Sequence, residues 1–106
     1  MKRVSFEVAK AIKEAGYPQL GVELWYTIEG KYINGCSKER YAICPTCLEA
    51  WIWLWQNKNI KIVVSPNCLC IWIGLKCVNF DSKLTNNPEQ DIMTAIEYLV
   101  NNDLIK

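Results

Sequence analysis

Two stretches of alternating hydrophobicity, each turned back on itself, lie between three stretches of helical period, and that order decides the fold class. Strands that arrive in adjacent pairs close locally as antiparallel hairpins, whereas single strands alternating with helices would build a parallel sheet. The order therefore predicts an α+β fold: an antiparallel sheet of about four strands with three helices packed mainly on one face.

Ser5 is placed to cap a first helix running to about Ala15, with Val8, Ile12 and Ala15 on one face and Glu7, Lys10 and Glu14 toward water. Gly16 followed by Tyr17-Pro18 stops it. From Val22 to Ile28 the residues alternate, with Val22, Leu24, Tyr26 and Ile28 on one side and Glu23, Trp25, Thr27 and Glu29 on the other. Glu29-Gly30-Lys31 turns the chain toward a second strand near Tyr32-Ile33, and a polar stretch from Asn34 to Arg40 precedes the apolar Tyr41-Ala42-Ile43.

The second helix is expected to start at Pro45-Thr46, with Pro in the first helical position, and to end near Asn57-Lys58-Asn59. Helical spacing assigns Leu48, Trp51, Ile52 and Trp55 to the core and Glu49, Trp53 and Gln56 to the opposite, solvent face. Ile60 to Ser65 and Cys68 to Cys77 read as two strands joined by Pro66-Asn67. Leu69, Ile71, Ile73 and Leu75 form the apolar side of this hairpin, and Cys68, Cys70 and Trp72 the other. After a polar loop, Asn87 caps a last helix with Pro88 in its first position and Gln90 completing a capping box. Ile92, Ile96 and Leu99 form its apolar stripe, beside Met93 and Val100.

With 106 residues the chain, 1–106, is expected to be a single domain around one core. Twelve basic against eleven acidic residues leave a net charge of +1, too little field to hold a polyanion, so nucleic acid is not a favoured partner. Glu7, Lys10, Lys13 and Glu14 interrupt what would be the apolar run of an export signal, and no apolar stretch approaches the ~20 residues of a membrane span. The cytosol is the expected compartment, which makes the six cysteines free thiols or metal ligands rather than a disulfide framework.

Three segments together resemble a family of small uncharacterised proteins encoded by bacteriophages and prophages of anaerobic gut bacteria. They are Ser5-Phe6-Glu7-Val8-Ala9-Lys10 with Gly16 beyond, Pro45-Thr46 followed by Trp53-Leu54-Trp55, and Ala95-Ile96-Glu97-Tyr98 with Asn101 to Ile105. The resemblance implies a setting: small accessory proteins with which phages disarm or redirect host machinery, typically by binding. It carries no catalytic residue, and the family's usual Ala-Pro-Thr is Cys44-Pro45-Thr46 here, so Cys44 is particular to this chain.

Cys44-Pro45-Thr46-Cys47 at a helix start has the spacing of a redox pair, since the helix dipole lowers a thiol pKa there, but a polar loop rather than a buried strand leads into it. Cys68 and Cys70 would complete a four-thiolate zinc site with Cys44 and Cys47, although residues alternating along a strand stand about 7 Å apart, far for neighbouring ligands of one ion. The plainer reading of all four is as small core hydrophobes, with no cofactor. No histidine is present, and Glu89 and Asp91 in a first helical turn are explained by the helix dipole.

The expected function is therefore non-catalytic: an accessory protein that binds a host protein, or itself as a dimer, through Trp53, Glu49 and Gln56 or through Trp72 on the outer face of the hairpin. The alternatives are a small-ligand or nucleotide sequestering protein, with a pocket between the aromatic sheet face and a loop, and a structural zinc domain on Cys44, Cys47, Cys68 and Cys70.

Overall fold

A computed structural model describes residues 2–20, 24–64, 69–78, 85 and 87–105. The described residues form α1 (Phe6–Glu14), β1 (Leu24–Tyr26), β2 (Tyr32–Asn34), β3 (Ala42–Ile43), α2 (Cys47–Lys58), β4 (Ile60–Val64), β5 (Leu69–Ile73), β6 (Lys76–Val78) and α3 (Pro88–Asn101). The fold is α+β with antiparallel strands, as the order of periods implies. The strands divide into two three-stranded sheets, β2-β1-β3 and β4-β5-β6, instead of one sheet of four. The difference has two sources: Tyr41-Ala42-Ile43 pairs back onto β1, and the second hairpin turns again at Gly74-Leu75.

Helix α1 ends as its sequence dictates. Gly16, at φ +107°, donates to the Lys13 carbonyl and Tyr17 to the Ile12 carbonyl, so the last turn closes on itself and the chain leaves at a defined angle. The β1–β2 turn carries Gly30 at φ +84°, and a Cβ there would meet the Phe6 ring at 3.2 Å, so both backbone and space require glycine. Ile28 lies in this turn and is exposed, not on an inward strand face. Val22 and Glu23 lie outside the described residues. Trp25 and Tyr26 are both buried although they face opposite ways; the Arg40 guanidinium, 5.3 Å from the Trp25 ring, covers the outer side.

Helix α2 begins at Cys47, two residues after the Pro45 expected in its first position. Thr46 is the cap: its hydroxyl accepts from the Glu49 amide at 3.2 Å while the Glu49 carboxylate accepts from the Thr46 amide at 3.0 Å, a reciprocal capping box. Pro45 precedes the cap. At α3 the reverse holds. Asn87 accepts from the amides of Glu89 and Gln90, but its own amide donates to the Thr85 hydroxyl, and Gln90 turns instead to the Lys2 ammonium and Thr94.

The core-facing side of α2 also differs. Cys47, Ala50 and Leu54 are the buried positions, whereas Leu48, Ile52 and Trp55 are 39%, 40% and 51% exposed. Every residue of this helix except Glu49, Gln56, Asn57 and Lys58 is apolar, so hydrophobic period cannot choose a face; side-chain size can. The small Cys47 and Ala50 let α2 approach α3, and the indoles move to the flanks. Trp51 donates to the Ile62 carbonyl at 3.0 Å, covering part of the free edge of β4.

One connected core runs from Val4 to Ile105 and takes in the inner faces of both sheets and all three helices. Ile60, Ile62, Leu69 and Ile71 line the second sheet on that side, while Cys70 and Trp72 face away. Leu75 is not on the apolar side: it sits at the tip of a two-residue turn that Gly74 opens at φ +63°, and is 99% exposed. No helix among the described residues is long and apolar enough to cross a membrane.

Candidate functional site

The stop at Gly16 sends Tyr17 to Leu20 back along α2, and a single side chain fastens this segment. Gln19 accepts from the Ile43 amide at 2.8 Å and donates to the Tyr17 carbonyl at 2.9 Å, bridging the loop to the edge strand β3. Between loop and helix lies a cleft of about 370 Å³. Tyr17, Pro18 and Leu20 form one wall, Ile52, Trp53 and Gln56 the other, with Ile43, Pro45 and Glu49 at its base and end.

Trp53, Glu49 and Gln56, assigned to one surface from sequence, are thus brought together, but Trp53 does not stand in free solvent. It is half-buried, its ring 5.2 Å from that of Tyr17 at 63°, an edge-to-face contact, with the Lys58 ammonium 5.8 Å from its centroid. Its indole N–H meets no acceptor among the described residues. Glu49 accepts from both the amide and the hydroxyl of Thr46 on one oxygen, and no basic side chain lies within salt-bridge distance of it among the described residues. Trp72 is elsewhere, half-exposed on the outer face of β5 between Lys61 and Cys77.

Tyr17, Gln19, Leu20 and Ile52 were not identified from sequence. The Gly-x-Pro stop indicates a loop but not where it lies, and helical spacing assigns Ile52 to the core because its helix is apolar on every side, whereas the structure leaves it 40% exposed.

The thiols behave unlike a redox pair. Residues Lys2 to Val4 run antiparallel to Pro45–Cys47, with Val4 donating to the Pro45 carbonyl at 3.1 Å and Cys47 to the Lys2 carbonyl at 2.8 Å. Beneath that strand the Cys44 thiol donates to the Val4 carbonyl at 3.7 Å and the Cys47 thiol to the Glu89 carbonyl at 3.6 Å. Burial pushes the Cys47 thiol up to about 11, helped by the nearby Glu89 carboxylate against the opposing Lys2 charge. Burial raises Cys44 as well, outweighing Tyr26 and Arg3. The Tyr26 hydroxyl donates to the same Val4 carbonyl at 2.7 Å, and burial first and Tyr32 second push it above the usual phenol value.

Cys44 and Cys47 therefore belong to the core, Cys70 faces outward from the second sheet, and Cys68 lies outside the described residues. Among the described residues no three Cys, Asp or Glu side chains gather as a metal site. Asp91, the buried charged residue among the described residues, accepts from the Thr85 amide at 3.0 Å and hydroxyl at 2.9 Å, tying Thr85 to α3. Comparisons with protein-family models, with curated proteins and with solved structures found no match to the chain.

Proposed function

We propose that this protein is a non-catalytic binding module that engages a protein partner through the outward face of α2 and the cleft beside it. The observation that carries the reading is the continuity of apolar surface there: Leu48, Ile52 and Trp55 repeat along one helix face at 39% to 51% exposure, next to a cleft whose loop wall presents Leu20 at 78%. Large side chains held half-open beside a preformed hollow are what an interface centre uses, since little ordering is needed on binding.

The chemistry of the remaining groups supports a non-catalytic role. The chain has no histidine, its helix-start thiols are buried with raised pKa values, and its buried carboxylate is occupied by Thr85. The resemblance to phage and prophage proteins supplies the setting we propose: the cytosol of a bacterial host, with a host protein as partner.

Affinity capture from such a host's lysate, run in parallel with wild type, Ile52→Asp and Trp72→Ala, tests it. A protein retained by wild type and Trp72→Ala but lost with Ile52→Asp, at unchanged circular dichroism, is the expected result. Loss with Trp72→Ala and retention by Ile52→Asp would move the surface to the second sheet. A small-ligand sequestering protein is the second reading, supported by a cleft volume of about 370 Å³, within the range of small-molecule sites. Concentration-dependent thermal stabilisation by a nucleotide, abolished by Trp53→Ala, would favour it.

A further inference from the structure

We propose that the cleft between Tyr17–Leu20 and α2 takes an extended, proline-rich segment in the polyproline II conformation, with a basic residue seated against Glu49. The inference rests on the binding-module reading and names the class of ligand.

The lining fits that ligand better than it fits a helix. Tyr17 and Trp53, with centroids 5.2 Å apart and planes at 63°, offer two aromatic faces of different orientation, and Ile52 and Pro18 complete a stiff apolar hollow. Proline rings lie flat against such faces. A polyproline II strand makes no internal hydrogen bonds, so its carbonyls need donors from outside, whereas a helix satisfies its own backbone. The cleft holds donors without acceptors among the described residues: the Trp53 indole N–H and the Gln56 side-chain amide. A volume of about 370 Å³ accommodates a short length of such a strand, whose turn of three residues spans about 9 Å, while a helix about 10–12 Å across would ride over the rim.

Charge completes the match. Among the described residues Glu49 is the acidic member of the lining, and no lysine or arginine shares that lining; the Lys58 ammonium, 5.8 Å from the Trp53 centroid, lies outside it. Its carboxylate is already oriented by the Thr46 amide at 3.0 Å and hydroxyl at 2.9 Å, both on one oxygen, so pairing with an incoming cation costs little further ordering. Gln19 holds the opposite wall to β3 in the same way. Both sides of the cleft are thus set before the ligand arrives, as the ligand itself is.

The test is an NMR titration of the isotope-labelled protein with acetylated arginyl-hexaproline, its glutamyl-hexaproline twin, and an amphipathic leucine-lysine helical peptide. Arginyl-hexaproline should shift the Trp53 indole and the amides of residues 17–20 saturably, and bind about three-fold more tightly than the glutamyl twin. Glu49→Gln, which preserves the capping box because Gln serves at that position, should equalise the two peptides. Trp53→Phe, which keeps a ring but removes the N–H, should weaken both by about five-fold or more. No saturable shift at millimolar arginyl-hexaproline, or an arginine preference that survives Glu49→Gln, would overturn the proposal. Stronger binding of the helical peptide at the same residues would overturn it too, while leaving the binding-module reading, which the capture experiment decides separately.

Discussion

Cys47 occupies the first position of α2, where the helix dipole favours a thiolate by up to about 1–2 kcal/mol, yet its pKa is pushed up to about 11. Burial wins because removing the thiolate from water costs more than the dipole returns. Native alkylation with iodoacetamide near pH 8 should therefore modify the exposed Cys36 and Cys77 and leave Cys44 and Cys47 until unfolding; mass spectrometry of the digested protein reads this directly, and early labelling of Cys44 or Cys47 would refute it. The same shift sets a pH dependence. A thiol whose folded pKa is raised contributes stability that is whole below its unfolded value, about 8.5, and is lost as pH rises toward 11. Urea denaturation should show the protein weaker by roughly 2–3 kcal/mol at the upper end, and Cys47→Ala should flatten the slope. At this scale the sequence was half legible. The spacing of Cys44 and Cys47 put both at a helix start, but the strand of residues 2–4 that covers them pairs across more than forty positions, and only tertiary structure reveals it.

Elements with a narrow apolar stripe were readable and those without were not. Val8 and Ile12 in α1, and Ile92, Ile96 and Leu99 in α3, are buried as their spacing requires, because Lys10 and Glu14 in α1 and Glu97 in α3 mark the exposed faces; the charged Asp91 is buried against that rule, held by Thr85. In α2 the apolar residues go all round, and the small Cys47 and Ala50, not the large Leu48 and Trp55, decide which side meets α3. The β5–β6 turn was hidden for a related reason: Leu75 is no turn former, and Gly74 alone was the signal. The capping box at the start of α2 sets both the helix frame and the Glu49 carboxylate. Thr46→Ala should cost about 1–2 kcal/mol in chemical denaturation, whereas Glu49→Gln should cost a few tenths at most. Equal losses from the two would mean the charge, not the hydrogen-bond pattern, holds the helix end.

Two small sheets share one layer of helices, and each leaves a different surface outside. At the β3 edge of the first sheet Gln19 fastens the loop that forms one wall of the cleft, and just beyond β3 residues 2–4 pair with Pro45–Cys47. The second sheet gives its inner face to α2 and α3 and turns Val63 and Trp72 outward. Because the covering strand takes hydrogen bonds from Tyr26, Cys44 and Cys47, its removal should act on the whole molecule. Deleting residues 2–4 should lower Tm by well over the 4–8 °C that corresponds to about 1 kcal/mol in a domain this size, and open Cys44 and Cys47 to alkylation. An unchanged Tm would show the strand to be dispensable. The antiparallel α+β class followed from the order of periods, but the split into two sheets and the position of the loop depend on pairings between β1 and β3 and between Gln19 and Ile43 that no local pattern encodes.

The claim that the outward face of α2 and its cleft form the binding surface is met most directly by hydroxyl-radical footprinting of the protein alone and in complex with the partner it captures. The account predicts that Leu20, Ile52, Trp53 and Trp55 lose reactivity in the complex while Trp72 and Leu75 keep theirs. Protection of Trp72 and Leu75 with an unchanged α2 would contradict it.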